Sequence, residues 1–106
     1  MSMSEGVVVT VAWVIKPEVA DRFVETLGGM FPKTRLHKGF RNIRLLRSDA
    51  DPNQFALIEE WDEAQNFRDY IQFRTETGDV ATLAAMTVSP PQINVWAQNP
   101  LAAAQA

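Results

Sequence analysis

Val7-Val-Val-Thr-Val-Ala-Trp-Val-Ile15 is the stretch on which the architecture turns. β-Branched and aromatic residues dominate it, Thr10 is its one polar side chain, and no turn former interrupts it, so it reads as a strand covered on both faces. Lys16-Pro17-Glu18 then opens a helix: proline's fixed φ and missing N–H suit the first helical position, and an acid complements the positive end of the dipole. Val19, Ala20, Phe23, Val24, Leu27, Met30 and Phe31 recur at helical spacing, and Gly28-Gly29 with Pro32 predict where this helix stops.

Gly39 closes a turn before a second strand, Phe40 to Arg47. Alternation places Phe40, Asn42, Arg44 and Leu46 on one of its faces and Arg41, Ile43, Leu45 and Arg47 on the other. Ser48 to Asn53 has turn composition, and Gln54 to Trp61 follows as a third strand, so the pair predicts a hairpin. Asp62 with Gln65 reads as a capping box that starts a second helix, with Ala64, Phe67, Tyr70, Ile71 and Arg74 facing inward and Gly78 as its end cap. Asp79 recaps a shorter helix through Met86, Pro90-Pro91 breaks it, and Gln92 to Gln98 alternates as a last strand with Ile93, Val95 and Ala97 on its apolar side. From Asn99 the tail is small and Ala-rich.

The order strand, helix, strand, strand, helix, strand predicts an α+β, ferredoxin-like β-α-β-β-α-β fold: an antiparallel sheet with its helices on one face. At 106 residues the chain has room for one domain spanning 1–106, with a core from 7 to 98 and a tail over 99–106. The other sheet face would be bare, yet the first strand is apolar on both sides. A second copy laid sheet to sheet is the simplest cover, and a chain of this size, which buries only about 65% of its unfolded surface alone, gains from that association.

A net charge of −3 and a pI near 5.0 argue against a general nucleic-acid surface. A local basic run does exist: Lys33, Arg35, Lys38, Arg41, Arg44 and Arg47 surround His37 with no acid among them. It reads as a solvated loop and strand face, with an anion site as the alternative. The absence of cysteine excludes disulfides and thiolate chemistry and fits a cytoplasmic setting, and Val7–Ile15 is too short to span a bilayer. His37 is the sole histidine, which disfavours a catalytic metal, since zinc alone asks for about three protein ligands.

Lys38-Gly39-Phe40, Asp51-Pro52-Asn53 and Phe55-Ala-Leu-Ile-Glu-Glu-Trp61, followed by Glu63-Ala64 and Phe67, resemble the antibiotic biosynthesis monooxygenase family from Val7 to about Trp96. The resemblance implies a dimeric α/β barrel with a pocket between the sheet and the helices of each subunit. It also implies one of several chemistries: oxygenation of quinols or polyketide phenols without metal or flavin, heme cleavage, or signal degradation. Heme-degrading members carry Asn, Trp and His where this chain has Thr10, Tyr70 and Val80, and Val80 cannot ligate iron. Polyketide-phenol oxygenases share Trp61 but carry Asn at the Leu57 position and Tyr at the Phe67 position. Many quinol-oxygenase-like members have His where Tyr70 stands.

Parity with Trp61 turns Phe55, Leu57 and Glu59 toward the pocket. A carboxylate there must be paired, neutral, or at work as an acid or base, and a salt bridge from Glu59 to Arg74 or another arginine is the structural expectation. The catalytic expectation gives proton transfer to Glu59 or Tyr70 and anion stabilisation to Arg74, one helical turn from Tyr70. Thr10, Leu57, Trp61 and Phe67 are expected to line the substrate site, with His37 at its mouth, and Trp13 and Trp96 to serve dimer packing or a cavity wall. The function so implied is a homodimeric, cofactor-independent monooxygenase that oxidises a quinol or polyketide-type phenol with O2. The alternative is a non-catalytic dimeric small-ligand-binding or stress-associated protein of the same fold.

Overall fold

The computed structural model describes residues 5–98, so the Ala-rich tail lies outside the described residues. Strand β1 (Val7–Val14) leads through a 3-10 turn at Pro17–Val19 into helix α1 (Ala20–Thr34). Strands β2 (Phe40–Arg47) and β3 (Gln54–Trp61) form the hairpin, helix α2 (Ala64–Glu76) and the short α3 (Asp79–Ala84) follow, and β4 (Gln92–Ala97) ends the fold. The sheet order is β2-β3-β1-β4 with every neighbouring pair antiparallel, the arrangement of a ferredoxin-like α+β fold. The sheet is open. No helix among the described residues is long and apolar enough to cross a membrane.

Odd-numbered residues of β1 and β3 point toward the helices. Val7, Val9, Val11 and Trp13 on β1, and Phe55, Leu57, Glu59 and Trp61 on β3, are all buried. Phe23 of α1 is fully buried among them, edge-on to Trp13 with ring centroids 5.2 Å apart and 5.0 Å from Phe55. Each such aromatic contributes about 2–3 kcal/mol through area removed from water. The even-numbered face carries Val8, Ala12, Val14, Ala56 and Ile58, none of them buried in the single chain. β1 is therefore apolar on both sides, as its sequence shows, but this chain covers only one of them.

Three local expectations are corrected. Helix α1 does not stop at Gly28-Gly29 or Pro32 but runs to Thr34. The glycines face open space, and Thr34 is fully buried with its hydroxyl donating to the Met30 carbonyl at 3.1 Å, so tertiary packing carries the helix past its breakers. The capping box of α2 is formed by Glu63 and Asn66 rather than Asp62 and Gln65; Asp62 instead holds Arg41 at 2.6 Å. Finally, an irregularity between Phe40 and Asn42 breaks the alternation of β2, so Phe40 pairs with Trp61 and packs against it, ring centroids 5.5 Å apart.

Two glycines are needed where they stand. Gly39 has φ +82°, and a Cβ there would overlap the Asn66 side chain that caps α2. Gly78, at φ +86°, ends α2 in the left-handed conformation and hands the chain to α3.

Candidate functional site

Between the helix-facing side of the sheet and the helices lies a cavity of about 140 Å³. β1 and β3 supply Val11, Trp13 and Leu57 to its floor, α1 supplies Leu27 and Met30, and α3 with the β4 edge supplies Val80, Leu83 and Ile93. Three polar side chains reach it: Glu59, Tyr70 and Arg74. A larger hollow of about 580 Å³ lies at the far end of β1 and β3, around Val14, Leu46 and Gln54. It contains none of these three groups, so the smaller cavity is the better candidate for chemistry.

Glu59 is only 2% exposed. Its register partners are Val9 on β1 and Ile43 on β2, so aliphatic side chains flank it across the sheet on both sides. Trp61, two residues further along the same face, donates its indole N–H to Glu59 Oε1 at 2.8 Å. Burial pushes the Glu59 carboxyl up to about 7, and the indole bond partly opposes that rise. The expected Glu59–Arg74 ion pair is not formed. Near neutral pH this acid therefore exists in both protonation states, which is the condition for a general base.

Arg74 is engaged elsewhere. Its Nε donates to the Tyr70 hydroxyl at 3.0 Å, one terminal nitrogen donates to Asp79 at 2.7 Å, and the other donates to the Met30 carbonyl at 2.9 Å and to Thr34 Oγ1 at 3.3 Å. Thr34 spends its own proton on Met30, so Tyr70 donates to Thr34 Oγ1 across 2.8 Å. Burial alone would lower the Arg74 pKa, but the bonds to Tyr70 and Asp79 hold it above the usual value. The Thr77 hydroxyl, 2.8 Å away, and the Arg74 guanidinium together hold the Asp79 carboxyl below its usual range. This cluster ties the end of α1 to α2 and α3, and its hydrogen-bonding capacity is largely spent on itself.

The antibiotic biosynthesis monooxygenase family model matches residues 6–73. The chain belongs to this family. Among solved structures, a conserved protein from Methanosarcina mazei Go1 superposes with a TM-score of 0.82 at 16% identity, covering 92% of this chain and 95% of that one. An antibiotic biosynthesis monooxygenase superposes at 0.79 with 22% identity, covering 89% and 99% respectively. SnoaB, a cofactor-independent oxygenase from Streptomyces nogalater, superposes at 0.78 with 15% identity, covering 89% and 93%. At such identities these likenesses concern the fold. No curated protein matches the sequence.

Within the monooxygenase family frame, the residues singled out from sequence separate into three groups. Glu59, Leu57, Tyr70 and Arg74 line the cavity together. Trp61 and Phe67 are buried just behind it, with Trp61 5.2 Å from Tyr70 and 6.5 Å from Phe67 between ring centroids; Trp61 reaches the site through its bond to Glu59 rather than as a wall. Thr10 and His37 lie outside. Thr10 is an even-numbered β1 residue and faces the open side, where its hydroxyl accepts the Trp96 indole N–H at 2.9 Å. His37 packs beside Tyr70 and Phe73, at 5.0 and 4.7 Å between centroids, and partial burial with the nearby Arg74 charge lowers its pKa. It abuts Tyr70 from outside the cavity.

Thr34, the Met30 carbonyl and Asp79 are not among the site residues that the sequence suggests. Thr34 continues the buried stripe of Ala20, Phe23 and Leu27 by two further turns, and a helix extended past Pro32 would have brought it into view. Among the described residues no group of three potential metal ligands occurs.

Proposed function

We propose that this chain is a cofactor-independent oxygenase of an electron-rich phenol or quinol, with the substrate hydroxyl held at Glu59. The observation that carries the reading is a carboxyl group titrating near neutrality inside a largely apolar cavity, with the other two polar side chains of the lining engaged with each other. Glu59 takes the phenolic proton. With a phenol near 10 and the base near 7, that transfer is uphill by about 4 kcal/mol, a small share of an enzymatic barrier. The phenolate passes one electron to O2, and the aryloxyl radical and superoxide combine at a ring carbon bearing hydrogen. Loss of that hydrogen as a proton and cleavage of the O–O bond, with Glu59 returning its proton to the departing hydroxide, leave a quinone and water. One oxygen atom enters the product and the other leaves as water. The protein supplies a base, a dry cavity and orientation.

Oxygen consumption and quinone absorbance, followed with a panel of phenols and hydroquinones, test this. The expected result is one O2 consumed per quinone formed, and uptake by Glu59→Gln lowered at least about a hundredfold. No uptake with any reduced aromatic overturns the reading; a small molecule that co-purifies and stays unchanged in air would assign the cavity to binding alone.

We also propose that a second copy covers the open sheet face and that the working unit is a homodimer in the cytoplasm. Support comes from the apolar row of Val8, Ala12, Val14 and Ile58 and from Leu46 and Trp96, which are 42% and 54% exposed on the same face. Sedimentation at micromolar concentration should give a dimer, and a stable monomer would refute this.

A further inference from the structure

We infer that the cavity accepts a neutral, single-ring phenol and rejects both fused-ring phenols and aromatic carboxylates. This rests on the reading of Glu59 as the group that meets the substrate hydroxyl, and it names the class of molecule that group can meet.

Size is the first argument. At about 140 Å³ the cavity is close to the roughly 150 Å³ engineered apolar cavity that takes one benzene. Its floor does not yield readily: Val11, Trp13 and Leu57 sit in the central strands, and all are at most 7% exposed. A second fused ring laid on that floor presses on side chains held in the central strands, and overpacking of this kind disfavours binding.

Polarity is the second. Of the three polar side chains in the lining, Tyr70 and Arg74 are bound into the cluster with Thr34, Met30 and Asp79. The Arg74 charge is answered by Asp79 at 2.7 Å, so it does not recruit an anion. The Trp61 indole engages Oε1 of Glu59, and the carboxyl is the lining group best placed to accept a ligand's hydroxyl proton. A carboxylate accepts a hydroxyl proton readily but repels another carboxylate in a site of low polarity.

The mouth is the third. Val80 and Ile93 border the cavity where α3 faces the β4 edge, and they are 39% and 48% exposed. An alkyl substituent on the ring has an apolar exit there, so a 4-alkylphenol fits where a naphthol does not.

Calorimetric titration of the full chain under argon, with phenol, 4-ethylphenol, toluene, 2-naphthol and 4-hydroxybenzoate, tests the assignment without requiring turnover. Phenol and 4-ethylphenol should bind at least tenfold more tightly than each of the other three. Leu57→Ala, which deepens the floor, should bring 2-naphthol to within a few-fold of phenol; the wild-type series decides alone should that variant fail to fold. Equal or tighter binding of 2-naphthol or 4-hydroxybenzoate by the wild type overturns the inference, as does binding of none of the five. The expected profile without oxygen uptake in air would keep the inference and reject the oxygenase; uptake with 2-naphthol would do the reverse.

Discussion

Glu59 and Arg74 line the same cavity, carry opposite charges and are almost equally buried, at 2% and 4% exposure, yet the fold treats them differently. Arg74 is met by a carboxylate, a hydroxyl pair and a backbone carbonyl. Glu59 receives one indole N–H from its own strand and aliphatic neighbours on both sides. A saturated buried charge is a structural tie whose loss strands its partners. An undersaturated one raises the energy of its charged form, and a protein keeps such a group where that energy is used.

The largest expected effect comes from removing the undersaturated charge. Glu59→Gln keeps an acceptor for the Trp61 indole but cannot take a proton, so oxygen uptake should fall by about 10²–10⁴-fold, the usual share of a general base. Stability should move the other way. The folded pKa of about 7 lies above the ordinary value of 4.5, so between those limits the native state binds more protons than the unfolded one. The stability contributed by this group is complete below pH 4.5 and is lost as pH rises through about 7. Glu59→Gln should therefore be more stable than wild type at pH 8, by up to about 3 kcal/mol, with the gap closing toward pH 4.5. Urea unfolding at the two pH values measures this, and a variant destabilised at pH 8 would put Glu59 among the structural ties.

Arg74→Met tests the opposite member. It leaves Asp79, Tyr70 and the Met30 carbonyl without their shared donor, and the expected loss is about 3 kcal/mol at pH 7 by urea unfolding. A loss below about 1 kcal/mol would mean the cluster is not a tie, and the contrast with Glu59 would collapse.

How far this contrast could be read from the sequence depends on what fixes each residue. Glu59 faces the helices because alternation along β3 is local and strict, and Trp61 marks the buried parity. The sheet followed from β1, the β2–β3 hairpin and Gly78 in the same way. Alternation does not say what lies across a cavity, so an Arg74 partner was expected for Glu59 whereas the structure gives Trp61 to Glu59 and Asp79 to Arg74. The Arg74 cluster depends on Thr34, whose burial follows only once tertiary packing has carried α1 past Pro32. Thr10 was placed in the pocket through a family correspondence, whereas its even position on β1 already assigned it to the other face. The irregularity in β2 parts Phe40 from Asn42, Arg44 and Leu46, with which strict alternation groups it.

Trp61→Phe probes how finely the Glu59 environment is set. It keeps the buried ring and deletes the indole N–H, the interaction that holds the Glu59 pKa down. In the proposed reaction the basic form is the active one, so uptake should rise with pH through about 7 in wild type and through a higher midpoint in the variant. The effect is that of one hydrogen bond to a charged group, about 1.5–3 kcal/mol on the carboxylate. An unchanged pH profile would show that Trp61 serves only as packing.

Tyr70→Phe carries the smallest expected effect and draws the boundary between the two regions. The hydroxyl touches the cavity but donates to Thr34 and accepts from Arg74, which places it with the ties rather than with Glu59. Its removal should cost about 1 kcal/mol of stability, as one net hydrogen bond does, because Arg74 retains Asp79 and the Met30 carbonyl. Uptake should stay within a few-fold of wild type, with the pH midpoint unmoved. A hundredfold loss of uptake at unchanged stability would move Tyr70 to the chemical side, making it rather than Glu59 the residue through which the substrate proton passes.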